Sequence, residues 1–180
     1  MKRKRPELII RNMEIEDLAF VYRLGERLFT SEETPILYRT WDPYEVTEYF
    51  TSDAEYCLVA EANGAIVGFI IATTIEKAGT AWKRYGYVAW MGVDEAFQRR
   101  SLGRRMYKKL EEELLEDGVR MVIADTEGDN EEAISFFKAI GFSPRSEHIW
   151  LAKTLRKPVR GIPKGKRVRE TLPEIVETLE

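Results

Sequence analysis

The sequence has one cysteine, Cys57, and one histidine, His148, in 180 residues. A single thiol excludes an internal disulfide, and these two residues fall short of a Cys/His zinc cluster. Cys57 falls in an apolar strand and reads as a small buried hydrophobe rather than a nucleophile. His148 reads as structural or exposed. The net charge is only −3, so the broadly basic surface of a general nucleic-acid binder is missing. No apolar run approaches the ~20 residues of a membrane span. The basic start MKRKR runs into Pro6-Glu7, not into the apolar core of a secretory signal. The expectation is a cytoplasmic protein with no metal, membrane or nucleic-acid partner; a homodimer is left open.

What is present suits one globular domain: 44% hydrophobic and 33% charged residues supply a core and a solvated surface. Leu8 to Arg11 reads as a strand. Leu18, Val21, Tyr22, Gly25, Leu28 and Phe29 share one face of a helix from about Ile15 to Thr30. Ser31 to Asp42 lacks a period and contains Pro35, so it is expected to be a loop. Asp42-Pro43 then starts a second helix, with aspartate as cap and proline at its first position. Strands over Tyr56–Glu61 and Ile66–Thr74 flank Asn63-Gly64, the residue pair that a type I′ hairpin turn demands. A polar connection, Glu76 to Arg84, leads to a further strand, Tyr87 to Val93.

The stretch Val88 to Leu115 organises the rest. After the strand, Leu102, Met106, Leu110 and Leu114, joined by Leu115, mark a helix that stops at Asp117-Gly118. Arg99, Arg100, Arg104 and Arg105 crowd its start. Cations at the positive end of a helix dipole are unfavourable by roughly 0.3–1 kcal/mol each. An anion held on the free N–H groups of the first turn would account for them. Val119 to Ala124 reads as a strand parallel to the one before the helix. Asp129 or Asn130 caps a last helix with Ala133, Phe136, Phe137 and Ile140 on its apolar face and Gly141 after its end. A strand around His148 to Lys153 is expected to close the domain, 1–153. The remainder, 154–180, is rich in cations, proline and glycine, and ends in a short amphipathic segment expected to form a docking helix.

Gln98-Arg99-Arg100-Ser101-Leu102-Gly103 resembles the Gln/Arg-x-x-Gly-x-Gly/Ala motif of the GCN5-related N-acetyltransferase (GNAT) superfamily. Asn130-x-x-Ala133-x-x-Phe136-Phe137-x-x-x-Gly141-Phe142 is similar to a second motif of that family. The resemblance implies an α/β fold with a mixed sheet, in the order β-α-α-β-β-β-α-β-α-β, whose central strands splay. It implies acetyl-coenzyme A as co-substrate. Met91, Gly92 and Val93 would meet the pantetheine arm, and Gln98 to Arg104 the pyrophosphate. Asn130 and Phe137 complete the implied cofactor site. Ser101 stands where the family has glycine: a negative φ there costs little, whereas a positive φ would weaken binding.

Acetyl transfer needs a neutral amine, and an amine like that of lysine is mostly protonated at pH 7. The resemblance offers two positions for a base. Tyr87 occupies one and is a poor base at its ordinary pKa; Asp125 occupies the other. Phe137 replaces a tyrosine that protonates the leaving thiolate in many relatives. The thiolate then leaves unassisted, or Tyr87 or water substitutes. The acceptor groove implied by the family falls on Glu32, Glu33, Tyr38 and Trp41, with Trp82 and Tyr85 opposite. The expected activity is acetyl transfer to a primary amine: a peptide N-terminus, a lysine or a small molecule. A non-catalytic sensor or scaffold that binds acyl-CoA is the alternative.

Overall fold

The computed structural model describes residues 8–29, 40–98, 101–143, 146 and 153. The chain divides into two compact units, Met1–Ser143 and Pro144–Glu180. Most of the strand expected over His148–Lys153, and the whole of 154–180, lie outside the described residues.

The first unit is a five-stranded sheet in sequential order. β1 (Leu8–Asn12), β2 (Leu58–Ala62), β3 (Ala65–Glu76) and β4 (Arg84–Val93) are successively antiparallel, and β5 (Val122–Ala124) is parallel to β4. The helices are α1 (Leu18–Phe29), α2 (Pro43–Ser52), α3 (Leu102–Glu116) and α4 (Glu131–Ala139). This is the expected mixed sheet, and the described residues follow the expected order up to α4.

The turn chemistry acts as the residue types require. Asn63 and Gly64 take φ of 51° and 81° in the β2–β3 hairpin. Asp42 caps α2 by accepting from the Tyr44 N–H at 2.8 Å. Asn130, rather than Asp129, caps α4 by accepting from the Ala133 N–H at 3.1 Å.

Each face of the sheet carries its own core. On one, Leu102, Met106, Leu110 and Leu114 of α3 pack with Leu58, Ile70, Ala72 and Val88. Each such buried side chain contributes about 1.5–3 kcal/mol. Leu115, expected to join that row, is 49% exposed because Leu114 takes the core position. On the other face, Val21 and Leu24 of α1 and Val46 of α2 pack with Trp41, Phe69, Ile71 and Trp90.

Two strands start three residues away from the expected position. β4 starts at Arg84, three residues before Tyr87, because β3 runs on to Glu76 and pairs with it there. β5 is confined to Val122–Ala124. Val119 turns inward, 1% exposed, with its N–H on the Leu114 carbonyl at 2.9 Å, so it closes the end of α3 instead of extending the strand.

Candidate active site

β4 and β5 share only the pairs Gly86↔Val122, Tyr87↔Ile123 and Val88↔Ala124. From Ala89 onward no strand faces β4 on that side among the described residues, so the sheet forks. The register with β3 also shifts here, between Ile71 and Ala72, with Ile71 facing Trp90 and Ala72 facing Val88. A bulge of this kind bends a strand and re-aims its side chains. The expected splay of the central pair is therefore present, beginning one residue after Tyr87–Val88.

The two candidate bases meet at the fork. The Tyr87 hydroxyl donates to Asp125 Oδ1 at 2.8 Å. Tyr87 packs on the α1/α2 side of the sheet, and Asp125 is the first residue beyond β5. A pair read as alternatives is thus one hydrogen-bonded unit.

Beyond the open end of β4 lies the start of α3. Ser101 is its N-cap residue, at φ 59° and ψ 12°, and makes no side-chain capping bond. The left-handed backbone is the costlier of the two outcomes for serine in place of glycine. The N–H groups of Leu102, Gly103 and Arg104 precede the first intrahelical bond, from the Arg105 N–H to the Ser101 carbonyl at 3.0 Å. They form the amide array expected to take an anion. Leu102 has only its backbone to offer, since its side chain is 2% exposed in the core. Gln98 turns back, its Nε2 donating to the Val93 carbonyl at 3.1 Å, and so fixes the link from strand to helix. Arg99 and Arg100 lie outside the described residues.

Gly92 and Gly103 are required by close approach. A Cβ on Gly92 would come within 2.7 Å of Leu28 Cδ1 and 3.1 Å of the Phe69 ring. On its Cβ side Gly92 therefore serves the packing of α1 on β4. A Cβ on Gly103 would meet Met91 Cε at 3.0 Å and the Phe136 ring at 3.2 Å, so β4, α3 and α4 converge there. Val93 packs with the α3-side core. Phe137 stacks edge-on against Phe136 and Phe142, with ring centroids 5.5 and 5.0 Å apart.

A cleft of about 450 Å³ opens at the end of β4, lined by Arg27, Leu28, Glu95, Gln98 and Glu132. Arg27 holds Asp94 at 3.1 Å, and Asp94 in turn accepts from the Ala96 N–H at 3.0 Å. Of these residues only Gln98 was read from motifs. Arg27 and Leu28 end α1, and nothing in a linear pattern ties them to a turn some 70 residues on.

Of the expected acceptor residues, Glu32, Glu33 and Tyr38 lie outside the described residues. Trp41 is 5% exposed, its Nε1 donating to the Tyr22 carbonyl at 2.9 Å. It is a core residue among Phe29, Phe69 and Trp90, and does not line a groove. Trp82 is 48% exposed. Cys57 is fully buried, and burial pushes its thiol up to about 12, which removes it as a nucleophile near neutral pH.

Known proteins share this fold. The profile of the Acetyltransferase (GNAT) family matches residues 21–142. N-alpha-acetyltransferase 30 of Dictyostelium discoideum is 26% identical over 134 residues, spanning 73% of this chain and 71% of that protein. The aminoglycoside N-acetyltransferase AAC(6')-Iy, solved in complex with CoA, superposes with a TM-score of 0.67 at 18% identity, over 85% of this chain and 98% of that one. Ard1 from Thermoplasma volcanium gives 0.63 at 24% identity, over 77% and 84%. The structural likenesses establish the fold, and the profile spans well over half of the sequence: the chain belongs to the acetyltransferase (GNAT) family.

Proposed function

We propose that this N-acetyltransferase moves the acetyl group of acetyl-CoA to a primary amine by direct attack at the fork between β4 and β5. The observation that carries the reading is the hydrogen bond from Tyr87 to Asp125 beside the last paired residues of the two strands. The amine-acetylating relatives and the CoA complex of a protein of the same fold support the choice of acceptor and co-substrate.

The start of α3 suits the pyrophosphate of CoA: successive free N–H groups and the positive end of a helix dipole act together there. Ser101 leaves those groups uncapped. The described side chains lining the cleft are one cation, Arg27, against the carboxylates of Glu95 and Glu132. Attraction for a phosphate therefore falls to the amides and to the arginines of the turn. Met91, Gly92 and Val93, on the part of β4 that β5 does not pair with, lead from this anion site toward Tyr87, the direction a pantetheine arm would take.

The thioester supplies an activated acyl carbon. The protein must position it and deliver a neutral nitrogen. Asp125 takes a proton from the ammonium form of the acceptor, directly or through one water. Tyr87, donating to Oδ1, orients the carboxylate for that transfer. As the C–N bond forms, the C–S bond breaks; the nitrogen gives up its remaining surplus proton through solvent to the departing sulfur, and CoA leaves as the thiol. Phe137, packed among aromatic rings, contributes no proton to it.

Replacing Asp125 with asparagine tests the assignment. Turnover should fall by about 10²–10⁴-fold, the range for a lost general base, with acetyl-CoA affinity nearly unchanged. The deficit should shrink as pH approaches the pKa of the acceptor. A variant as fast as the parent at neutral pH removes Asp125 from the mechanism.

A further inference from the structure

The arginines at the start of α3 call for an anion only if nothing else satisfies them. One is already engaged: Arg104 Nη2 donates to the Ala139 carbonyl at 3.0 Å. Ala139 is the last residue of α4, so this guanidinium sits at the negative end of another helix, where a cation is favourable. The charge that looks misplaced on α3 is well placed on α4.

α4 needs such an anchor. None of its residues is buried. It is held by Phe136 over Gly103 and Met91, by the ring chain Phe137–Phe142–Tyr107, and by Arg104. Its cap, Asn130, ends the loop that begins at Asp125. Glu132, in its first turn, lines the cleft. Moving α4 therefore moves one wall of the cleft and the far end of the loop that carries the base.

We propose that Arg104 is a positioning residue: it ties the last turn of α4 to the first turn of α3, so that the helix gripping the cofactor's pyrophosphate also sets the cleft wall. This rests on the reading of α3 as the pyrophosphate site. It assigns Arg104 to α4 rather than to the phosphate. Misplacement by about 1 Å can cost on the order of 10²-fold in rate, so a single exposed hydrogen bond can matter to turnover while contributing little to global stability.

Two measurements on the full chain decide it. The first is hydrogen exchange of the protein without cofactor, comparing the parent with Arg104→Met and Arg104→Lys. The methionine variant should exchange severalfold faster over residues 131–141 with β3 and β4 unchanged, and lysine should restore part of the protection. The second is steady-state kinetics. Arg104→Met should lower kcat about tenfold or more, with KM for acetyl-CoA within about twofold of the parent, and lysine should recover part of kcat. A large rise in KM at unchanged kcat, with α4 exchanging as in the parent, would make Arg104 an ordinary phosphate ligand and overturn the proposal. If the parent neither binds nor turns over acetyl-CoA, the pyrophosphate reading fails by itself. Exchange in the cofactor-free protein still decides whether Arg104 holds α4.

Discussion

Gly25 lies within α1, where alanine is ordinarily the better residue by roughly 0.5–1 kcal/mol. Propensity alone predicts that Gly25→Ala stabilises the protein. The structure predicts the reverse. The new Cβ would lie 2.2 Å from both Cε2 and Cζ2 of Trp41, against the 3.5–4.0 Å of an ordinary carbon contact. The indole would have to retreat by more than ~1 Å. It has nowhere to go, because Trp90, Phe29 and Phe69 stand with ring centroids 5.1, 5.4 and 5.4 Å away. If the core absorbs the strain, overpacking costs about 1–3 kcal/mol. If the ring is expelled, its burial is lost at about 3–5 kcal/mol, together with the hydrogen bond to the Tyr22 carbonyl. After the helix-propensity gain, net destabilisation is about 1–4 kcal/mol. Urea unfolding followed by tryptophan fluorescence measures it: at a slope of about 2 kcal/mol per molar, the midpoint should fall by roughly 0.5–2 M. Adding Trp41→Phe, with a smaller ring, should recover part of the loss. An unchanged or higher midpoint in Gly25→Ala would refute the burial of Trp41 over Gly25. The tryptophan would then be available again as an acceptor-groove residue.

Ser101→Gly removes a left-handed strain that costs a side-chain-bearing residue about 1–2 kcal/mol, partly offset by glycine's greater freedom when unfolded. Thermal unfolding should shift up and acetyl-CoA should bind at least as tightly; a clear drop in Tm would contradict the backbone at that position. Asp17 accepts from Arg11 at 2.6 and 3.0 Å. The Arg11 hydrogen bonds, helped by the Glu14 N–H and opposed by burial, hold its carboxyl below the ordinary range. Its stabilisation is complete above the unfolded value near 3.9 and is lost as pH falls through the lower folded value. Asp17→Asn should therefore be less stable than the parent by about 1.5–3 kcal/mol at pH 7, with the gap closing in acid; a gap constant from pH 6 to pH 3 would contradict this. Cys57, with its thiol pushed up by burial, should resist disulfide reagents at pH 8 until the protein unfolds, and fast labelling of the native protein would count against its buried position.

Features set by a residue's own backbone chemistry were legible in the sequence. Asn63-Gly64 dictates its turn because few other pairs tolerate two positive φ values. Asp42-Pro43 and Asn130 mark helix starts because their oxygens reach the free N–H groups. Features set by partners were not. β5 is short because Val119 is claimed by the end of α3, and β4 is long because β3 is. Trp41 looked like a groove residue because an aromatic in an aperiodic segment gives no sign of the cavity left for it by a helix glycine. Tyr87 and Asp125 could be named separately from the resemblance, yet their hydrogen bond spans 38 residues and needs parallel strands in register. The Arg104 hydrogen bond is hidden from the sequence for the same reason, its partner carbonyl lying 35 residues away on another helix.

Release of free thiol from acetyl-CoA, followed across a panel of peptides, amino acids, polyamines and aminoglycosides, bears most directly on the central claim. The account predicts steady thiol release with at least one primary amine, matched by acetylated product. It also predicts no burst when the acceptor is left out, because attack is direct and no acyl-enzyme accumulates. Silence across the panel, in a protein that acetyl-CoA nonetheless stabilises against heat, would contradict it.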